Sequence, residues 1–224
     1  MHNFIKVLLI LALSATFCGC AKSVKITTLD KSYKTGTVTA NVKIPQLKGL
    51  ASEELQNAVN TEFLNTTGSL LGNFEEMAGE TGEQSVFDMD TTEYYNKNGL
   101  LSIVTQYDYF ARKSHKSSFR ITKNLNTVAC VEITLSDLFE DDSYIDVLNN
   151  LLTASVSAKP ENYTDLWAKP KIMQNQNFYI DGENLVLCYP PYELSYYERG
   201  YVEIPIPIEE ILTYLNPEYR KMLT

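Results

Sequence analysis

From residue 37 to 45 apolar and polar side chains alternate, with Val38, Ala40, Val42 and Ile44 on one side and Thr37, Thr39, Asn41 and Lys43 on the other. A period of two sends successive side chains to opposite faces, so this stretch predicts a half-buried strand ending at Pro45. The period then changes. Leu55, Val59, Phe63, Leu70, Phe74 and Met77 recur at spacings of three, four or seven, which is one stripe of a helix. Ser52 precedes them as a cap, and Glu53 and Glu54 occupy the first turn, where the positive helix end favours acids. One long helix is expected, with Gly68 and Gly72 as the points where it would be interrupted.

Beyond Gly79-Glu80-Thr81-Gly82 the pattern returns to strands. Residues 86–95 and 100–110 flank Asn98-Gly99, and a two-residue hairpin turn of that composition satisfies the positive φ that both central residues need. Residues 117–122 and 127–134 read as a second hairpin across Lys123-Asn124-Leu125-Asn126. A short helical turn is expected at 135–139, then a helix opened by Ser143 and striped by Ile145, Leu148, Leu151 or Leu152, and Val156. Residues 159–176, with Pro160, Trp167 and Pro170, predict irregular chain. A third hairpin, 178–180 with 185–189, turns on Asp181-Gly182-Glu183-Asn184. A strand at 201–206 and a closing helix from Ile208 to about Leu215 follow. The fold class is α+β, with antiparallel meandering sheets packed against a long N-terminal helix and shorter C-terminal helices.

The first nineteen residues carry one base, Lys6, and no acid around an apolar run from 7 to 17. A membrane span needs about 20 apolar residues, so the run predicts a signal peptide instead. It ends in Phe17-Cys18-Gly19-Cys20, followed by polar Ala21-Lys22-Ser23, and resembles the bacterial lipobox. In that motif a small residue, here Gly19, precedes a cysteine that is acylated and becomes the new N-terminus; Phe17 departs from the usual Leu, Val or Ala. The resemblance implies a signal peptide at 1–19, lipidation at Cys20, and a tether at 20–32 with a short strand-like piece at 24–29. The protein is then extracytoplasmic and held to the cell membrane or outer membrane by lipid. Each buried methylene adds about 0.8 kcal/mol, so such an anchor is stable. The alternative is an ordinary secretory signal cut nearby.

Charge narrows the partners. The chain has 28 acids and 19 bases, a net charge of −9, and cleavage of the signal would remove only Lys6. Nucleic acid and anionic lipid headgroups are poor partners for such a surface, and a cationic protein is a better one, although solubility alone also accounts for it. Cys130 and Cys188 remain after processing, each in an apolar segment. They can pair, closing a loop worth about 4 kcal/mol, or stand as two buried thiols.

Candidate chemistry is sparse. There is no Gly-x-Ser-x-Gly, no His-Glu-x-x-His, and no Cys-x-x-Cys in the mature chain. His115 would be its only histidine, and lies in the basic run Arg112-Lys113-Ser114-His115-Lys116, which reads as an exposed hairpin turn. Glu75-Glu76 and Glu140-Asp141-Asp142 read as solvated or capping acids. No enzymatic activity, metal or cofactor is expected.

The block from Asn177 to Leu194, with Asp181-Gly182, Leu185-Val186 and Pro190-Pro191-Tyr192-Glu193, then Tyr197 to Gly200 and the strand at 201–206, resembles the extracytoplasmic domain of the RsiV-type anti-sigma-V factor. That domain also occurs in a peptidoglycan deacetylase. Leu135-Ser136-Asp137-Leu138-Phe139 resembles a second signature of the family. The resemblance extends over about residues 30–215 and implies a companion subdomain at 33–110 and an RsiV-type domain at 111–224. It implies lysozyme, or another cationic wall hydrolase, as a ligand, with Pro190 and Tyr192 matching the Pro-x-Tyr thought to enter that enzyme's cleft. The loop's own composition agrees: prolines stiffen it, tyrosines give amphipathic contact area, and acids suit a cationic target. Pro190, Tyr192, Glu193, Tyr196 and Tyr197 are the candidate contact residues. Peptidoglycan, with sugars stacked on the same tyrosines, and a purely structural envelope role are the alternatives. No cytoplasmic sigma-binding segment precedes the apolar run, so an anti-sigma role for this chain is not expected.

Overall fold

The computed structural model describes residues 23–111 and 116–224; the signal segment, Cys20 and His115 lie outside the described residues. The strands are β1 (Lys25–Asp30), β2 (Tyr33–Lys34), β3 (Val38–Asn41), β4 (Lys43–Lys48), β5 (Ser85–Lys97), β6 (Leu100–Ala111), β7 (Ser117–Asn126), β8 (Val131–Glu132), β9 (Asn177–Ile180), β10 (Asn184–Tyr189) and β11 (Val202–Pro207). The helices are α1 (Glu53–Thr81), α2 (Tyr144–Ala158), α3 (Ile208–Ile211) and α4 (Pro217–Leu223). The α+β class expected from the sequence holds. Among the described residues no helix is long and apolar enough to cross a membrane.

The elements stack in layers. Helix α1 covers one face of a six-stranded sheet of order β2-β3-β5-β6-β7-β8, burying Val59, Phe63 and Phe74 against Phe87, Leu101 and Ile103. A three-stranded sheet, β11-β10-β9, lies on the other side, with Val104, Tyr179, Val186 and Cys188 packed together. Its far face holds Phe178, Leu185, Leu187, Ile204 and Ile206 against Leu148 and Leu152 of α2. A small β1-β4 sheet completes the first core.

Local signals formed as their chemistry dictates. The Ser52 side chain accepts from Leu55 N at 3.1 Å, and α1 runs 29 residues without a break. Gly68 and Gly72 do not interrupt it, since both sit on exposed turns of a helix held elsewhere by packing. Asn98 and Gly99 take φ of 55° and 87° at the β5-β6 turn. Asp181 Oδ1 accepts from the amides of Glu183 and Asn184 at 3.0 and 2.7 Å, closing the β9-β10 turn.

Other expectations are corrected. The alternating stretch at 37–45 is two strands in two sheets, because Val42 N donates to Ser32 Oγ at 2.9 Å and its carbonyl accepts from Lys31 N at 2.8 Å. The strand continues through Pro45, opposite Thr28. The sheet is not a pure antiparallel meander: β3 and β5 pair in parallel, with α1 as their crossover. Residues 123–126 are strand rather than turn. Asn124 accepts from Ser102 Oγ at 2.6 Å and donates to Phe178 O at 2.8 Å, so its polar side chain is satisfied while buried. The turn falls at 127–130 instead, where Asn126 Oδ1 accepts from Val128 and Ala129. Met77 and Ile145 face outward, and Ala78 and Tyr144 take the buried positions. The closing helix divides: α3 is one turn, and Asn216 caps α4, with Pro217 at its first position, where a missing N–H costs nothing.

The chain's end ties back to β5 and β7. Tyr95 Oη donates to Met222 O at 2.7 Å, and Asn126 Nδ2 to Glu218 Oε1 at 2.7 Å. Strands β6 and β7, consecutive in the chain, pair directly in one sheet. Cys130 and Cys188 are both free. The Cys130 thiol donates to Thr127 O within its own turn, and Cys188 is buried between the sheets, so the structure does not bring them together.

Candidate binding site

Strand β10 ends at Tyr189, and the chain turns over its own hydrogen bonds. Glu193 N donates to Pro190 O at 3.2 Å and Tyr192 N to Ser195 O at 3.2 Å. Tyr192 takes a left-handed φ of 72°, rare for a residue with a large side chain. That backbone sends the ring outward, 66% exposed. Leu194 and Ser195 plunge back beneath it, both buried. Gly200, at φ 76°, closes the loop before β11.

The irregular segment 160–167 braces this loop. Asp165 accepts from Ser195 Oγ at 2.9 Å and pairs with the Arg199 guanidinium. Arg199 also lies 5.9 Å from the centre of the Tyr163 ring. Trp167 N donates to Leu194 O at 3.0 Å and its indole Nε1 to Glu193 O at 3.4 Å. Partial burial would raise the Asp165 pKa, yet the Ser195 hydroxyl, its own backbone amide and Arg199 together hold it below the usual carboxylate value. Glu193 is pushed the other way, upward, by partial burial.

The aromatic residues form two pairs. Tyr192 and Tyr197 lie 5.3 Å apart, and Trp167 stands edge-on to Tyr196 at 4.9 Å. Tyr196 is 61% exposed and Trp167 48%, so three large rings face solvent on a braced frame. Of the residues expected at the site, Pro190, Tyr192 and Tyr197 line a cleft of about 590 Å³ against β7. Glu193 and Tyr196 belong to the Trp167 side. Sequence reading missed Trp167, Asp165 and Arg199. The one signal available was that Trp167 is the chain's only tryptophan.

Across the cleft lie Phe119, Arg120 and Lys123 of β7 and Glu62 of α1. Lys123 is shared by Glu62 and Glu132, each at 2.7 Å. Burial lowers its pKa, but the two carboxylates outweigh that and raise it, so the ammonium stays charged. Arg120 pairs with Glu203, lies 4.5 Å over the Tyr201 ring, and donates through Nε to Gln106 at 2.8 Å. Both bases are therefore spent inside the protein. Helix α1 adds Glu53, Glu54, Glu62, Glu75, Glu76 and Glu80, all exposed, with no base along its length.

Residues 136–209 match the family described as protein of unknown function DUF3298. Over 194 residues the chain is 26% identical to the anti-sigma-V factor RsiV of Bacillus subtilis (strain 168), covering 81% of this chain and 67% of that protein. Its fold is also that of a DUF3298-family protein from Bacteroides fragilis, with a TM-score of 0.70 at 14% identity over 91% of this chain and 99% of the other. A DUF3298-family protein from Pseudomonas aeruginosa matches with a TM-score of 0.61 at 16% identity, over 90% and 98%. These solved structures establish the fold alone.

Proposed function

We propose that the protein is a non-enzymatic, extracytoplasmic binding protein, attached to the envelope by lipid on Cys20, that captures a cationic wall hydrolase of the lysozyme type. The observation that carries this reading is the braced aromatic loop. Tyr192 and Tyr196 are exposed on a frame fixed by Asp165, Ser195, Arg199 and Trp167, so little conformational freedom is lost when they are covered. Tyrosine and tryptophan held this way suit the centre of a recognition surface. The acidic outer face of α1 and the net charge of −9 would steer a basic protein toward it. The similarity to RsiV supports an extracytoplasmic setting.

The test is calorimetric titration of the purified protein with lysozyme in low and in physiological salt. Saturable binding that weakens with salt is expected. Absence of heat at low salt removes the reading. Retention on purified peptidoglycan, without lysozyme binding, would transfer the tyrosines to sugar recognition.

A further inference from the structure

The six-stranded sheet ends in an edge that is only partly covered. Strand β8 pairs with β7 at Leu125 and Asn126 alone, and after Ile133 N donates to Asn124 O at 2.8 Å the chain leaves for the turn at 136–138. In an antiparallel ladder, residues alternately turn both backbone groups toward and away from one neighbour. Thr127 N bonds Gly99 O, so 125, 123 and 121 face β6, while 124, 122 and 120 face outward. Two partners outside β6 agree with this: Ile133 at Asn124, and the Tyr201 hydroxyl, which accepts from Arg120 N at 2.9 Å. Between them, no group among the described residues meets the N–H or C=O of Thr122.

That bare edge is not simply surface. It runs through the 590 Å³ cleft and into an adjoining recess of about 250 Å³ that shares Thr122, Glu132 and Asn177 with it. Proteins protect exposed edges with short strands or inward-pointing lysines. Lys123 occupies such a position but is 7% exposed and consumed by two glutamates, so it leaves one negative charge in excess on the α1 side. The opposite wall is aromatic, made of Pro190, Tyr192 and Tyr197.

We propose that the outer edge of β7, residues 120–124, is a strand-addition site for an extended segment of a partner polypeptide in which basic side chains alternate with apolar ones. Backbone pairing at Thr122 supplies the register. Alternation then sends one set of side chains toward Glu62 and Glu132 and the other toward the tyrosine wall. Four residues of such a strand span about 14 Å. The site goes beyond the proposed capture of a hydrolase, and requires neither that enzyme nor the exposed ring of Tyr196.

The probe is acetyl-Lys-Val-Lys-Val-Lys-Val-amide, titrated into the ¹⁵N-labelled protein while amide shifts and hydrogen exchange are followed. Expected are a saturable shift and slowed exchange at Thr122, about tenfold weaker binding by the same peptide N-methylated at alternate residues, and weaker binding by the Glu-for-Lys peptide. Glu62→Gln should weaken binding of the lysine peptide while Glu132 still pairs with Lys123, so the thermal midpoint should move by no more than a few degrees. An unchanged Thr122 amide overturns the proposal, as does equal binding of the N-methylated peptide. So does a Thr122 shift produced by N-acetylglucosamine oligomers and not by the peptide. Because the probe is a peptide, failure here leaves the lysozyme titration unaffected, and failure there leaves this result standing.

Discussion

Trp167 and Tyr196 meet edge to face, 4.9 Å between ring centres and 83° between planes, with the indole N–H on the carbonyl of Glu193. The contact joins two segments 29 positions apart and places the chain's single tryptophan at the rim of the candidate site. A half-exposed indole responds to any molecule that covers it. Ligand capture should therefore shift the intrinsic emission to shorter wavelength, and Tyr196→Ala should shift the free protein's emission to longer wavelength. Fluorescence on the purified protein checks both.

The brace beneath the loop sets its pH response. Asp165 has a depressed pKa in the folded state, so its contribution is complete above the unfolded carboxylate value of about 3.9 and is lost as pH falls through the lower folded value. Loop order, read from the Trp167 emission, should stay constant from pH 8 to 5 and change only in stronger acid. Asp165→Asn should abolish that acid transition and weaken ligand binding by about tenfold, through ordering cost alone.

Tyr192 holds a left-handed backbone for the sake of its ring. Tyr192→Gly should leave stability unchanged or raise it by about 1 kcal/mol, since glycine adopts that φ freely. It should also lose ligand binding. Denaturant unfolding and titration on the same sample separate the two effects.

The two cysteines should behave as unlike free thiols. Burial pushes Cys188 up to about 12, and Cys130 sits half-buried in an exposed turn. A thiol reagent should modify Cys130 well before Cys188 in the native protein, and a reductant should leave the thermal midpoint unchanged. Leu148→Ala, between α2 and the three-stranded sheet, should cost about 2–5 kcal/mol by denaturant unfolding.

What the sequence disclosed was the chemistry that acts over a few residues. Ser52 caps α1, and Asn98-Gly99 and Asp181-Gly182 turn hairpins, because each needs only its neighbours. The failures came where distant partners decide. Lys123, Asn124 and Asn126 look like a polar turn until Glu62, Ser102, Phe178 and Glu218 satisfy them from other elements. The strand at 37–45 divides because Ser32 claims Val42. At the site, the tyrosines were visible as composition, but the brace from Asp165 and Trp167 joins residues 26 to 34 apart in the chain. The bare edge at Thr122 depends on where β8 departs, which no local pattern records.

Capture of a cationic protein by the braced tyrosines is tested by calorimetric titration of the wild type and of Tyr192→Ala with lysozyme. Saturable, salt-sensitive binding is predicted for the wild type, with affinity at least about tenfold lower in the variant and an unchanged thermal midpoint. Equal affinity in the two proteins, or no binding by either at low salt, would exclude the braced tyrosines as the binding surface.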